Sequence, residues 1–535
     1  MMDNKKEKER DELHKTIWKM ADELRGAVDG WDFKQYVLGL LFYRFISENI
    51  ENYVNTNQRK LGEKDFEYKN LSDEDAEYGR EDILNDKGFF ILPSELFCNV
   101  RKKAKVNPDL NITIHKVFEN IEASAKGTAS EKAVKGLFDD FDIKGNKLGN
   151  TVDEKNEKLI KMLDAIGDLK LGNYSDNTID AFGDAYEYLM TMYASNAGKS
   201  GGEFFTPQEV GELLAKIVIM DKKEVNKVYD PCCGSGGLLL KFAKILGKGN
   251  IKNGFYGQEI NLTTYNLARI NMFLHDINYN NFDISRGDTL TNPMNWDDEP
   301  FDAIVSNPPY SIHWAGKSDP LLINDERFAP AGILAPESKA DLAFTMHMLS
   351  WLSQKGTAAI VQFPGVLYRG GAEQKIRKYM VDNNFVDTVI QLPSDLFFGT
   401  SIATCILVLK KSKKTNDILF IDASNEFVRN TNKNKLSPDN INWIIDKIKN
   451  RKSKENEPVV VVPNEEIGNN DYNISVNTYI KNTSEEEKID IKEINKKIKE
   501  VVKRESKIRM ELDKIIQNLE EDNEQDWWIN KRDVS

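Results

Sequence analysis

Apolar positions change their period along the chain, and the changes divide it in three. Over residues 1–170 they recur at helical spacing, in 13–24 and again in 33–46. Trp31, Phe33, Tyr36, Leu40, Tyr43 and Phe45 form an aromatic-rich group whose simplest role is core packing. The charged stretch 51–86 reads as loop, 154–163 as a short helix, and 179–194 as a second helix. From Lys227 onward, short apolar runs alternate with longer helical ones. Strands are expected at 228–230, 255–259, 283–287, 302–307, 357–362, 386–391 and 403–409, and a helix over 238–246. This alternation predicts an α/β fold built on a doubly wound, mainly parallel, seven-stranded sheet. The last segment changes again. Ser484 and Glu487 make a capping box. Apolar residues follow at Ile491, Ile494, Ile498, Val501, Ile508, Leu512, Ile515 and Leu519, spaced three and four apart except where Glu505 takes one seam position. A heptad pattern of this kind predicts a coiled-coil helix whose stripe needs a partner helix, in this chain or another. The expected domains are a helical N-terminal domain at 1–170, an α/β domain at 171–480 and a helical tail at 481–535.

Composition narrows the class. A chain of 535 residues is long enough for two or three domains with sizeable cores. No run of about 18 uncharged apolar residues appears, so no membrane span is expected. The N-terminus lacks the apolar core of a signal peptide. Four cysteines, two of them adjacent, do not suggest a disulfide framework. Cys98 and Cys405 read as small core residues. The five histidines form no zinc-spaced cluster, so no metal is expected, and the cytoplasm is the natural compartment. The net charge of −13 bears on partners. Phosphate contacts dominate DNA affinity and usually require a basic surface. An acidic chain therefore either acts on something else or relies on a partner, or a local basic patch, for positive charge.

Candidate chemistry sits at the carboxyl ends of the expected strands, where ligands of open α/β sheets bind. The run Val228-Tyr229-Asp230-Pro231-Cys232-Cys233-Gly234-Ser235-Gly236-Gly237 ends a strand, turns tightly and enters an apolar helix. Glycines let the backbone approach a ligand, and the helix N-terminus offers free N–H groups. No Gly-Lys-Ser/Thr follows, so this is not a phosphate loop of the Walker type, and the acid before the glycines is foreign to the dinucleotide fingerprint. Asp230 at the strand tip favours a cationic ligand group over a pyrophosphate, so S-adenosylmethionine, with an amino group and a sulfonium, fits better than NAD. Glu259 ends the second strand, where an acid typically accepts from ribose hydroxyls; Asp288 follows the third, where a carboxylate can accept from an exocyclic amine. Either could also merely cap a turn. Upstream, Gly198 to Gly202 lead into Glu203-Phe204-Phe205-Thr206-Pro207-Gln208. Thr206 is placed to cap a helix opening at Pro207, and the two phenylalanines suit an aromatic wall over a cofactor. The fourth strand runs into Asn307-Pro308-Pro309-Tyr310. Two prolines stop the strand and stiffen the turn, which presents an amide and a ring suited to holding and stacking a planar amine. Phe397 and Phe398, after the sixth strand, are either core residues or an aromatic clamp for a base.

Together these motifs resemble the amino-methyltransferases. Gly202 to Pro207 resembles their first cofactor motif, Asp230 to Gly237 the central one, and Asn307 to Tyr310 the catalytic tetrapeptide. Cofactor motifs before catalytic motif is the order of the gamma class of adenine N6 DNA methyltransferases. With the helical N-terminal region and helical C-terminal extension, about residues 10–520 resemble the modification subunit of type I restriction–modification systems. The adjacent Cys232 and Cys233 stand where family members vary. The resemblance implies S-adenosyl-L-methionine as cofactor, held by Glu203 to Gln208, Ser235 to Gly237 and Glu259, with Asp230, Gly234 and Asp288 nearby.

The implied reaction has its own physical logic. Adenine N6 is a poor nucleophile because its lone pair is delocalised into the ring. If the Asn307 side-chain carbonyl and the Pro308 backbone carbonyl accept both amine hydrogens, the lone pair localises and can attack a sulfonium methyl. The base must first leave the duplex, and stacking on Tyr310 offsets about 1–3 kcal/mol of that. No base-reading domain is evident between Leu409 and the tail, so sequence recognition is expected from a separate specificity subunit. The family implies two modification subunits per specificity subunit, double-stranded DNA as substrate and a motor nuclease as a further partner. Two other readings fit parts of the pattern: a methylase of another amine (RNA guanine or a protein glutamine), and a non-enzymatic assembly module.

Overall fold

The structure is a computed structural model that describes residues 11–18, 32–169, 171, 181–196, 206–220, 222–296, 299–397, 400–430, 433–453, 457–480, 495–496 and 498–514. At its centre is a nine-stranded sheet. Its strands are β1 Val228–Asp230, β2 Phe255–Glu259, β3 Phe282–Arg286, β4 Phe301–Ser306, β5 Leu352–Gln362, β6 Val386–Gln391, β7 Cys405–Lys410, β8 Asp417–Asp422 and, after a separate antiparallel pair (β9 Val428–Asn430 and β10 Lys433–Lys435), β11 Val459–Pro463. The spatial order is β11-β8-β6-β7-β5-β4-β1-β2-β3. Pairing is parallel except around β7, which runs against β5 and β6, and at β11, which runs against β8.

The strands carry near-continuous apolar runs because both faces are covered. In β5, Ala359 and Val361 join one core while Ala358 and Ile360 join the other. In β7, Ile406 and Val408 face the first core, and Cys405, Leu407 and Leu409 the second. This period-two division is what a buried strand between two helical layers requires. The helices Gln208–Val218, Gly237–Leu246 and Leu262–Leu274 cover the first face, and Asp341–Trp351 and Ala372–Asp382 the second.

The seven expected strands are present within two residues at most of their bounds, except that β5 begins five residues earlier, at Leu352. The sheet is wider than expected because β8 and β11 extend it. The apolar runs Ile418 to Ile421 and Val459 to Val462, not read as strands, thus belong to the central sheet. The N-terminal region also differs. The Asp32–Lys60 helix continues through residues 51–60, and 73–76 and 80–87 are helical too. Their charged side chains pair with each other at the surface, as in Arg80 with Glu77 at 2.6 Å. Expected helices appear as Val152–Gly167 and Ala181–Asn196. Cys405 is fully buried, whereas Cys98 is exposed.

Residues 1–480 form one compact unit, with the N-terminal helices packed on the sheet domain. Arg269, only 2% exposed, is the main pin. Its Nη1 donates to the carbonyls of Lys132 (3.1 Å) and Lys135 (2.7 Å), and its Nη2 to Asn266 Oδ1 (2.6 Å). Asp140 accepts from Thr263 at 2.8 Å and Asn266 at 2.9 Å, and Lys132 pairs with Asp283 on β3. Residues 481–535 form the second unit. Within it, 498–514 are helical with every side chain exposed, including the seam residues Ile498, Val501, Ile508 and Leu512. Ser484, Glu487, Ile491, Ile494, Ile515 and Leu519 lie outside the described residues.

Arg269→Ala strands buried carbonyls, each of which costs about 1–3 kcal/mol when left unpaired. Thermal unfolding of this variant is expected to show a loss of about 3 kcal/mol. Arg269→Lys should not restore it, because an ammonium cannot reproduce the planar fork.

Candidate active site

Two adjacent parallel strands bring the two informative loops together. β1 and β4 pair with Val228 opposite Ala303 and Tyr229 opposite Ile304, which brings Asp230 alongside Val305 and within reach of Ser306 at the end of β4. Ser306 Oγ donates to Asp230 Oδ1 at 2.8 Å, and the Cys232 N–H donates to the same oxygen at 3.0 Å. The glycine turn then leads into the Gly237–Leu246 helix. Gly236 caps that helix at φ 78°, a left-handed conformation that a side chain would strain. Asn271 Nδ2 donates to the Ser235 carbonyl at 2.9 Å, and Thr289 Oγ1 to that of Pro231 at 2.6 Å, which fixes the turn from behind.

A solvent-open cleft lies between this turn and the tetrapeptide. Thr206, Pro207, Gln208, Asp230, Gly234, Ser235, Gly237 and Asn307 line it. Glu259 does not line it but stands behind it, accepting from the N–H groups of Gly234 (3.1 Å) and Asn261 (2.8 Å). Asp288 closes its own turn by accepting from the Leu290 N–H at 2.9 Å. Pro308 is buried, and Pro309 and Tyr310 are half-buried. Phe397 is 2% exposed and packed in the core, with no face turned to a ligand. Glu203, Phe204, Phe205 and Phe398 lie outside the described residues.

The helix after Thr206 begins at Gln208 without a side-chain cap. Thr206 Oγ1 instead accepts from Asn307 Nδ2 at 3.1 Å. Tyr310 OH donates to Asn307 Oδ1 at 2.5 Å. The amide is thus held from both ends, and its carbonyl keeps a second lone pair for another donor. Three contributors give little signal in the sequence. Asp341, fully buried at the start of its helix, accepts from the Ser311 N–H through both carboxylate oxygens at 3.1 Å. It anchors Ser311 at φ 50°, the strained residue just after the tetrapeptide. Arg327 grips the carbonyls of Thr289 (2.8 Å) and Leu290 (2.7 Å), which braces the turn carrying Asp288. Lys241 lines the cleft from the Gly237–Leu246 helix. An acid opening an all-buried helix was the one available hint, at Asp341.

Comparison with known proteins agrees with this geometry. Residues 177–488 match the family model of N-6 DNA methylases, and residues 13–166 that of the HsdM N-terminal domain. The type I restriction enzyme MpnII methylase subunit of Mycoplasma pneumoniae is 50% identical over 541 residues, covering 97% of this chain and 98% of that protein. The chain belongs to the methyltransferase subunits of type I restriction–modification systems. Within that family, the MjaVIII methylase subunit of Methanocaldococcus jannaschii is 31% identical, covering 91% of this chain and 80% of that one. The crystal structure of the type I methyltransferase subunit from Streptococcus thermophilus matches with a TM-score of 0.79 at 32% identity, covering 88% of this chain and 99% of that chain. Among the described residues of this methyltransferase subunit, no helix is long and apolar enough to cross a membrane, and no group of three or more His, Cys, Asp or Glu is placed to hold a metal ion.

The dominant electrostatic feature of the methyltransferase cleft is Asp230. Burial pushes its carboxyl up from 3.8 to about 7, against the opposing hydrogen bonds from Cys232 and Ser306. Its Oδ2 is buried without a partner. Burial likewise raises Glu259 and holds the Cys232 and Cys233 thiols protonated.

Because the folded-state value of Asp230 is raised, its contribution to stability is fully present below about 4. It is lost as pH rises through about 7. Asp230→Asn keeps the Oδ1 acceptor and removes the charge. Thermal melts of the ligand-free chain are expected to show this variant gaining on the wild type between pH 5 and pH 8. A difference that does not change with pH would contradict the assignment.

Proposed function

We propose that the cleft binds S-adenosyl-L-methionine, and that Asn307 and Pro308 present N6 of an adenine, extruded from double-stranded DNA, for methylation. The observation that carries this reading is that Asp230 and Asn307, from the glycine turn and the tetrapeptide, line the same cleft. The residues fit the cofactor. Asp230 Oδ2 is a buried acceptor awaiting a cationic donor, while Glu259 supports the glycine turn through the Gly234 N–H. When bound, the cofactor supplies an electrophilic methyl group on a sulfonium.

The chain's own part is positioning. Asn307 Oδ1 accepts one amine hydrogen with the lone pair that Tyr310 leaves free, and the Pro308 carbonyl accepts the other. Donating both hydrogens in hydrogen bonds, with neither removed, localises the nitrogen lone pair; no strong base is needed, because the single proton is shed only after the nitrogen has gained the methyl group and become cationic, and it passes by way of these acceptors to solvent. The Tyr310 ring offers a stacking face for the extruded base. Thr206 and Tyr310 keep the amide from rotating away. The acidic chain and the lack of a base-reading domain support delegation of sequence recognition to a specificity subunit. In this reading two methyltransferase subunits join one specificity subunit, the tail's apolar stripe is covered within that complex, and a motor nuclease completes the cytoplasmic assembly.

Asn307→Ala is expected to abolish methyl transfer, a loss of at least about 100-fold, while calorimetry shows S-adenosyl-L-methionine binding within about twofold of wild type. Mass spectrometry of digested DNA should find N6-methyladenine. Methylguanine in RNA or methylglutamine in protein as the product would replace the adenine reading. The isolated chain should transfer methyl groups to specific sites only when the specificity subunit is added; full site-specific activity without it would refute delegation.

A further inference from the structure

The cleft contains a cation that none of the recognised motifs accounts for. Lys241 lies one turn into the Gly237–Leu246 helix and lines the cleft beside Gly237 and Leu238. Its stem crosses the neighbouring Gln208–Val218 helix at Gly211. A Cβ on Gly211 would stand 3.4 Å from Lys241 Cγ and 3.7 Å from its Cε. The tight neighbour of that Cβ would be Leu238 Cδ2 at 3.1 Å, with the lysine stem running alongside at ordinary contact distance.

Three of the acids near Lys241 are already engaged, while Glu209, whose carboxyl also feels the Lys241 charge, is in no ion pair among the described residues. Glu187 pairs with Lys244 at 2.9 Å and lies 3.4 Å from His275, Asp184 is 3.6 Å from Lys244, and Glu212 pairs with Lys216 at 2.7 Å. Among the described residues the Lys241 ammonium makes no hydrogen bond or close ion pair. Burial draws its pKa down, and the surrounding carboxylates only partly oppose this. The same cleft holds two buried acceptors without partners, Asp230 Oδ2 and Gln208 Oε1. It therefore offers one ammonium donor together with unsatisfied acceptors, the complement of a zwitterionic α-amino acid.

We infer that Lys241 binds the α-carboxylate at the amino-acid end of the cofactor, while Asp230 serves the cationic part of the ligand. This inference rests on the cofactor reading above and adds to it a residue outside the recognised motifs. A neutral substitute at 241 then weakens only ligands that carry the carboxylate.

The test is calorimetry on the full chain with two probes. S-adenosyl-L-methionine carries the carboxylate; its decarboxylated analogue keeps the sulfonium and amine but lacks it. Lys241→Met is expected to weaken S-adenosyl-L-methionine by about tenfold or more, the scale of one charge-assisted contact, and to leave the decarboxylated analogue within about twofold. Lys241→Arg should retain most of the affinity. Lys241→Gln, a milder change, serves if the methionine variant melts early. Equal losses for both probes, or no loss for either, overturn the inference while leaving the cofactor reading intact. A wild-type chain that binds neither probe overturns both.

Discussion

Everything at the active edge depends on the parallel pairing of β1 with β4. Because Tyr229 lies opposite Ile304, the next residues along each strand emerge together, and the hydrogen bond from Ser306 to Asp230 locks the two ends. A shift of one residue in that register would turn every side chain to the other face. The glycine turn and the proline corner would then no longer share a cleft. Chemistry here is positioned by sheet register first and by side-chain packing second. The packing is done by residues at a distance from the reaction: Thr289 and Asn271 brace the glycine turn, and Asp341 braces the residue beyond the tetrapeptide.

That placement leaves a charge in an unfavourable position. Moving a carboxyl from 3.8 to about 7 corresponds to on the order of 4 kcal/mol of disfavoured ionisation. The surrounding sheet, apolar on both faces, is what makes the arrangement tolerable. A cationic ligand reverses the sign of the effect, since the same low-polarity surroundings that penalise a lone charge strengthen its attraction to an opposite one. The ligand-free chain is thus less stable than its core would allow, and binding recovers the difference.

Most of the sheet was legible in the sequence because its strands are short apolar runs closed by turn residues, a signal that survives without tertiary information. The strands β8 and β11 carry the same signal within the expected α/β domain, but lie beyond the seven strands read from the sequence. Residues 51–60 escaped for the opposite reason. They are polar enough to look like loop, and only packing of the preceding apolar half carries the helix through them. At the site, Asp230, Ser235 and Asn307 were legible because motif spacing places them at strand ends. Thr206 was read as a cap, and only the structure shows its hydroxyl turned to Asn307. Arg327 and Asp341 act through backbone groups of other segments, which no local pattern encodes.

The N-terminal helices do more than sit beside the sheet. β3 is its outermost strand on one side, and Lys132 reaches across to Asp283 and, at 3.0 Å, to Ser285 on that strand. An uncovered outer strand is a template on which a second copy can add its own. The helical segment places a lysine, a charge that discourages edge-to-edge pairing, beside that strand. A fragment begun at the boundary between the two family segments would lose that lysine and leave the outermost strand more open to pairing.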